Sequence, residues 1–152
     1  KLGDEVSATV IQWHVIAMFA PSFFTGFIIM KFGNKNVMLV GVLLYVISIS
    51  FTIIGQTFLN FWISLFLCGL GWNFLYVGGS DVIAKSASHE ERPKVQGVTD
   101  FIIFTFVATG SFLAGALHTS LGWELMMIYT SVPIIILFVS IFVIKPHELS
   151  LR

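Results

Sequence analysis

Residues 37–54 read Val37-Met38-Leu39-Val40-Gly41-Val42-Leu43-Leu44-Tyr45-Val46-Ile47-Ser48-Ile49-Ser50-Phe51-Thr52-Ile53-Ile54, a run without a single charge. At 1.5 Å per residue, a helix of this length spans about 27 Å, close to the roughly 30 Å hydrocarbon core of a bilayer. A soluble helix would keep a polar face for water, and here only four hydroxyls interrupt the apolar surface. The stretch is therefore expected to be a membrane-spanning helix. Four further apolar runs of spanning length lie at about 7–30, 61–84, 98–119 and 123–144. The fold class that follows is an all-α membrane protein of about five transmembrane helices in one domain, residues 1–152.

Composition agrees with that expectation. Hydrophobic residues make up 57% of the chain and charged residues 11%, against about 45–50% and 25% in soluble domains. The formal net charge is zero, so the basic footprint of a nucleic-acid binder is missing, and membrane lipid is the expected surroundings. The single cysteine, Cys68, allows neither an internal disulfide nor a thiolate metal cluster. No catalytic set, metal site or cofactor motif is expected. The sequence opens at Lys1 without the basic segment, short apolar core and small-residue cleavage site of a signal peptide, and it is expected to be a fragment of a longer protein.

The connections set the topology. Pro21 falls near the middle of the first run, where a membrane helix tolerates a kink. Gly55-Gln56-Thr57-Phe58-Leu59-Asn60 is short enough to make a tight hairpin of the second and third helices, and Ser120-Leu121-Gly122 to turn the fourth into the fifth. Lys31, Lys35, Lys85, Arg92, Lys94, Lys145 and Arg152, seven of the eight basic residues, flank one side. That side is expected to be cytoplasmic, with the C-terminus on it, in a multi-pass protein of the cell membrane. Trp13, Trp62 and Trp123 then gather at the outer interface.

After the first run comes Gly26-Phe27-Ile28-Ile29-Met30-Lys31-Phe32-Gly33-Asn34-Lys35. The segment resembles the loop of the major facilitator superfamily that carries Gly-x-x-x-Asp-Arg/Lys-x-Gly-Arg-Arg/Lys. Gly26, Lys31, Gly33 and Lys35 match, while Met30 and Asn34 replace the acid and one base. Small residues there would let the turn pack on a neighbouring helix, and the cations would hold it at the anionic membrane face. The degenerate motif, the short tail and the absence of Gly-x-x-x-Gly-Pro from the fourth run fit the C-terminal half of such a protein. The five helices then resemble helices eight to twelve, and the partner is the missing N-terminal half. Ala20-Pro21-Ser22-Phe23-Phe24-Thr25-Gly26 and Gly71-Trp72-Asn73-Phe74-Leu75-Tyr76-Val77-Gly78-Gly79 look like stretches of uncharacterised bacterial permeases of that superfamily.

The resemblance implies secondary transport of a small solute by alternating access, with proton coupling as one way to drive it. Transporters of this type place solute near the bilayer midplane, where Trp72 and Asn73 should lie. Gly69, Asn73, Tyr76 and Ser80 recur at helical spacing, and Trp72, Asn73, Tyr76 and Ser80 are the candidate solute contacts. Their face either lines a cavity or packs on another helix. Replacing Asn73 or Trp72 by alanine is expected to impair flux more than expression.

Asp81 and Asp100 are the two aspartates within or at the edge of the runs, which makes each a candidate for proton coupling. Each also has a simple structural role to hand. Lys85 lies four residues after Asp81, and Asp100 falls in the first turn of the expected fourth helix, where the helix dipole favours a carboxylate. His14 and His118 suit interfacial hydrogen bonding better than haem ligation. Gly110-x-x-x-Ala114 and Ser111-x-x-x-Gly115 suit close helix packing. A rival reading, an intramembrane aspartyl protease using Asp81 and Asp100, lacks the expected Gly-x-Gly-Asp, since Gly78-Gly79-Ser80 precedes Asp81. A membrane sensor or assembly subunit that does not transport is the third.

Overall fold

The computed structural model describes residues 4–55 and 57–143, apart from the side chains of residues 4, 6, 118, 123, 124 and 127. Five helices follow in order: α1 (Asp4–Phe19), α2 (Ser22–Phe32), α3 (Asn34–Ile54), α4 (Phe58–Ser86) and α5 (Arg92–Val143). The protein is all-α, a membrane bundle of the expected class with no strand among the described residues. By length and apolarity α3, α4 and Arg92–Leu117 can each cross a bilayer, and α1 with α2 make a fourth span if the bent pair crosses as one. Ile128–Val143 is a shorter apolar helix. Residue 144, the basic tail 145–152 and Gln56 of the expected hairpin lie outside the described residues.

The first apolar run forms two helices rather than one, bent by 45°. Pro21 has no amide hydrogen to offer the Ala17 carbonyl, so the ladder of α1 cannot continue through it. The chain restarts from the Pro21 carbonyl, which accepts the amides of Phe24 at 2.8 Å and Thr25 at 2.9 Å.

A single residue, Gly33, then separates α2 from α3. Its φ of 80° and ψ of 149° lie where only glycine goes without strain. Helix α3 consequently begins at Asn34, ahead of the expected start at Val37. Nothing lies within 4 Å of a Cβ placed on Gly33, so a substitution there is opposed by backbone strain alone. Gly33→Ala is expected to cost about 1–3 kcal/mol, read as a lower unfolding temperature of the full-length protein in detergent.

Helices α3 and α4 form an antiparallel hairpin. Thr57 caps α4, its hydroxyl accepting the Asn60 amide at 3.3 Å. The two backbones come closest where glycine faces glycine. A Cβ on Gly41 would sit 3.1 Å from the Gly71 carbonyl, and one on Gly71 would sit 2.9 Å from the Gly41 carbonyl. Further along the pair, Ser48 donates to the Ser64 carbonyl at 2.8 Å, Ser64 donates to the Ser48 carbonyl at 2.9 Å, and the Thr52 and Ser64 hydroxyls lie 2.6 Å apart. Helix α1 runs parallel to α4 on its other side, with His14, Ala17 and Met18 against Leu65, Gly69 and Asn73.

Helix α5 starts at Arg92, well before the expected Val98. Pro93 suits a first helical turn, and hydropathy marks only the part of a helix that lies in lipid. The runs expected at 98–119 and 123–144 are two limbs of α5, parted at Gly122, whose φ of 74° and ψ of 173° break the helix. The second limb lies along α3, where Ile141 packs with Met38 and Val42 and the Lys35 ammonium sits 4.9 Å from the centre of the Phe142 ring. The first limb turns Phe101, Phe106 and Phe112 outward. Its small-residue pairs do not serve close packing among the described residues, because none of these lies within 4 Å of a Cβ on Gly110 or Gly115.

Candidate functional site

A cavity of about 580 Å³ lies between α3, α4 and both limbs of α5. Helix α4 supplies its longest wall, including Ser64, Cys68, Trp72 and Tyr76, while α3 contributes Tyr45, Ser48 and Thr52. Ile103 comes from the first limb of α5, and Thr130, Pro133 and Ile134 from the second. Among the described residues no side chain with a formal charge lines it. Its polarity comes from hydroxyls, the Cys68 thiol and the Trp72 indole, so it suits an uncharged, largely apolar guest.

Trp72 and Tyr76 lie one helical turn apart and project to the same side. Their rings are parallel to within 8° with centroids 5.9 Å apart. The Tyr76 hydroxyl leaves the cavity wall to donate to Asp100 Oδ1 at 2.9 Å. Gln96 Nε2 donates to the same oxygen at 2.9 Å and to Ser80 Oγ at 3.3 Å. Asp100 is therefore held by two neutral donors, one from each of two helices. It does not lie in a first turn, as the sequence suggested, because α5 begins eight residues before it.

The polar face expected on α4 divides between two neighbours. Asn73 is 1% exposed and packs on the α1–α2 bend instead of lining the cavity. Its Nδ2 donates to the Met18 carbonyl at 2.7 Å and to Ser22 Oγ at 2.6 Å. Thr25 Oγ1 lies 2.6 Å from Asn73 Oδ1 and 2.9 Å from the Pro21 carbonyl. The hydroxyl has one proton and Pro21 already accepts two amides, so the proton goes to Asn73. Gly69 lies beneath α1, where a Cβ would come within 2.5 Å of the His14 carbonyl. His14 Nδ1 donates to the Leu65 carbonyl at 2.7 Å, which fixes its tautomer; the His118 side chain lies outside those described.

Asp81 has its own partners at the far end of α4: Lys85 Nζ at 2.8 Å and Asn34 Nδ2 at 2.8 Å. Asn34 also donates to the Gly78 carbonyl at 2.9 Å, so the residue replacing a base in the loop motif reaches across to α4 as a neutral donor. Of the matching positions, Gly33 makes the turn and Lys35 reaches Phe142. The Lys31 ammonium lies 5.2 Å from the centre of the Phe32 ring. Gly26 is exposed with nothing within 4 Å of a Cβ, so the close packing expected of it is not made among the described residues. Trp13 and Trp62 meet edge to face at 5.9 Å.

Sequence reasoning passed over Tyr45, Ser48, Thr52 and Ser64. Ser48 and Thr52 carry a visible signal, two hydroxyls four apart in an apolar run. Among the described residues no group of three or more His, Cys, Asp or Glu side chains could hold a metal ion.

Comparison with known proteins adds a family. A family model described as Major Facilitator Superfamily matches residues 2–151. The chain is similar to the riboflavin transporter of Brucella anthropi, 44% identical over 118 residues, covering 78% of this chain and 30% of that protein. Two uncharacterised MFS-type transporters of Bacillus subtilis are 33% identical over 117 residues and 31% over 121, covering 74% and 78% of this chain and 27% and 28% of theirs. The chain thus spans less than a third of the length of these relatives. No solved structure matches.

Proposed function

Because the chain belongs to the major facilitator superfamily, we propose that it is part of a membrane transporter that moves a small, flat, uncharged solute by alternating access. The observation that carries this reading is the uncharged, partly aromatic cavity between α3, α4 and α5. Trp72 and Tyr76 are its proposed solute contacts, with Asn73 and Ser80 shaping the wall from behind. Riboflavin is the first solute to test, because a relative 44% identical over 118 residues bears that name. No bond is made or broken in such a cycle, so the reading is of a carrier rather than an enzyme.

The same premise supports placing the chain in the C-terminal half of a longer carrier in the cell membrane, with the other half completing the solute path. Gly26, Lys31, Gly33 and Lys35 are proposed to form its cytoplasmic gating loop. The clustered Lys and Arg residues favour a cytoplasmic end after Arg152, and a reporter fused there should be active inside. Proton coupling is a second reading, favoured by Asp100, a carboxylate within an apolar span. Asp81 is the weaker candidate because Lys85 already pairs it. The protease reading has less support, since the two carboxylates are held by separate partners.

Full-length protein in proteoliposomes should take up riboflavin saturably, and an imposed proton gradient should accelerate uptake if protons are coupled. Saturable binding without flux would favour the sensor or assembly role, and no uptake of riboflavin or other flat aromatic solutes would overturn the proposal.

A further inference from the structure

We infer that Asp100 and Gln96 are positioning residues for the solute, acting by holding the Tyr76 ring parallel to Trp72 as a stacking platform for a flat aromatic ring. The inference rests on the cavity being the solute site. Neither residue lines the cavity, so whatever they do for a solute passes through Tyr76.

The geometry is a closed circuit between two helices. Tyr76 donates to Asp100 Oδ1, Gln96 donates to the same oxygen from one turn earlier on α5, and Gln96 also reaches Ser80, one turn beyond Tyr76 on α4. A tyrosine in a cavity wall has more than one staggered χ1 well open to it, and a hydrogen bond at the ring's far end selects one. A carboxyl oxygen is suited to that task because its two lone pairs can accept the Tyr76 hydroxyl and the Gln96 amide together. Phe104, with its centroid 6.1 Å from that of Tyr76, gives the ring a second neighbour from α5. The selected orientation is the one parallel to Trp72 to within 8°. Parallel, offset rings are the arrangement in which a further flat ring adds favourably, and the uncharged lining suits a neutral one.

The test uses full-length protein in proteoliposomes with riboflavin as the probe. Tyr76→Phe keeps the ring and loses the anchor, whereas Asp100→Leu loses the acceptor. Each is expected to raise KM about tenfold with Vmax little changed, as for one lost hydrogen bond. The double variant should be no worse than either single one, since both break the same bond. Asp100→Asn, which restores an acceptor without the charge, should recover most of the affinity lost in Asp100→Leu. If Asp100→Asn instead abolishes Vmax together with stimulation by a proton gradient, Asp100 carries the coupled proton and the inference is overturned. Multiplying losses in the double variant overturn it as well.

A readout without flux separates this inference from the transport reading. In a protein retaining only Trp72 of its tryptophans, Tyr76→Phe and Asp100→Leu should each shift Trp72 emission and open it to acrylamide quenching, and Asp100→Asn should largely restore both. If wild type takes up neither riboflavin nor any other flat aromatic solute, the transport reading fails while this emission still decides the positioning role. Unchanged emission in both Tyr76→Phe and Asp100→Leu rejects it.

Discussion

Gly69→Leu is expected to unseat α1 from α4 and to be the most damaging single substitution in the bundle. The first side-chain atom would lie 2.5 Å from the His14 carbonyl oxygen and 3.1 Å from Ala17 Cβ. A carbonyl oxygen within a helix cannot give way unless the helix moves. Overpacking of this kind costs typically about 1–3 kcal/mol, and here the displacement would also strain the His14–Leu65 and Asn73–Met18 bonds that cross the same contact. Full-length Gly69→Leu should lose its monodisperse elution in detergent or unfold at a clearly lower temperature. Gly79→Leu is the control, because nothing lies within 4 Å of a Cβ there. Equal behaviour of the two variants would show that α1 does not pack on Gly69.

Asn73→Ala should come second, and it should act through the fold. The substitution leaves the Met18 carbonyl, Ser22 Oγ and Thr25 Oγ1 without the partner they share. One interhelical hydrogen bond in a membrane protein is worth about 0.6 kcal/mol on average. Three bonds at the one point where Pro21 has already interrupted the helix, the one to Thr25 buried and the other two partly buried, raise the expected cost to about 1–3 kcal/mol. Expression and thermal stability should therefore fall together with uptake. Trp72→Ala, on the cavity side, should reduce uptake with much less loss of stability. Asn73→Ala that keeps full stability but loses uptake would return Asn73 to the solute path.

Asn73 packs on α1 and α2, one of the two roles its position on the helix left open, and the reason is geometric. Positions 72 and 73 are about 100° apart around a helix, so they cannot both face one neighbour squarely. A single sequence identifies the polar positions on α4 but not which helix each one meets. The helical class was legible because uncharged runs of spanning length have few other uses, and the Pro21 kink was legible because a missing amide acts locally. The Asp81–Lys85 pair was legible for the same reason, its spacing being fixed by the helix itself. Asn34 reaching Asp81 was not, since the residues are 47 apart in the chain and come together only through the α3–α4 hairpin. The first turn of α5 was missed because charged residues at a helix end depress hydropathy without opposing the helix.

The hairpin of α3 and α4 also bears on how the protein is made. Ser48 and Ser64 each donate to the other's carbonyl across the pair, so these bonds exist only when both helices are present. The three residues between α3 and α4 are too few to let one helix settle in the bilayer while the other waits outside. During synthesis the two segments should therefore enter the membrane as one insertion unit, each hiding the other's hydroxyls from lipid. Chain growth stalled before α4 emerges would leave α3 in the insertion machinery rather than released into the bilayer.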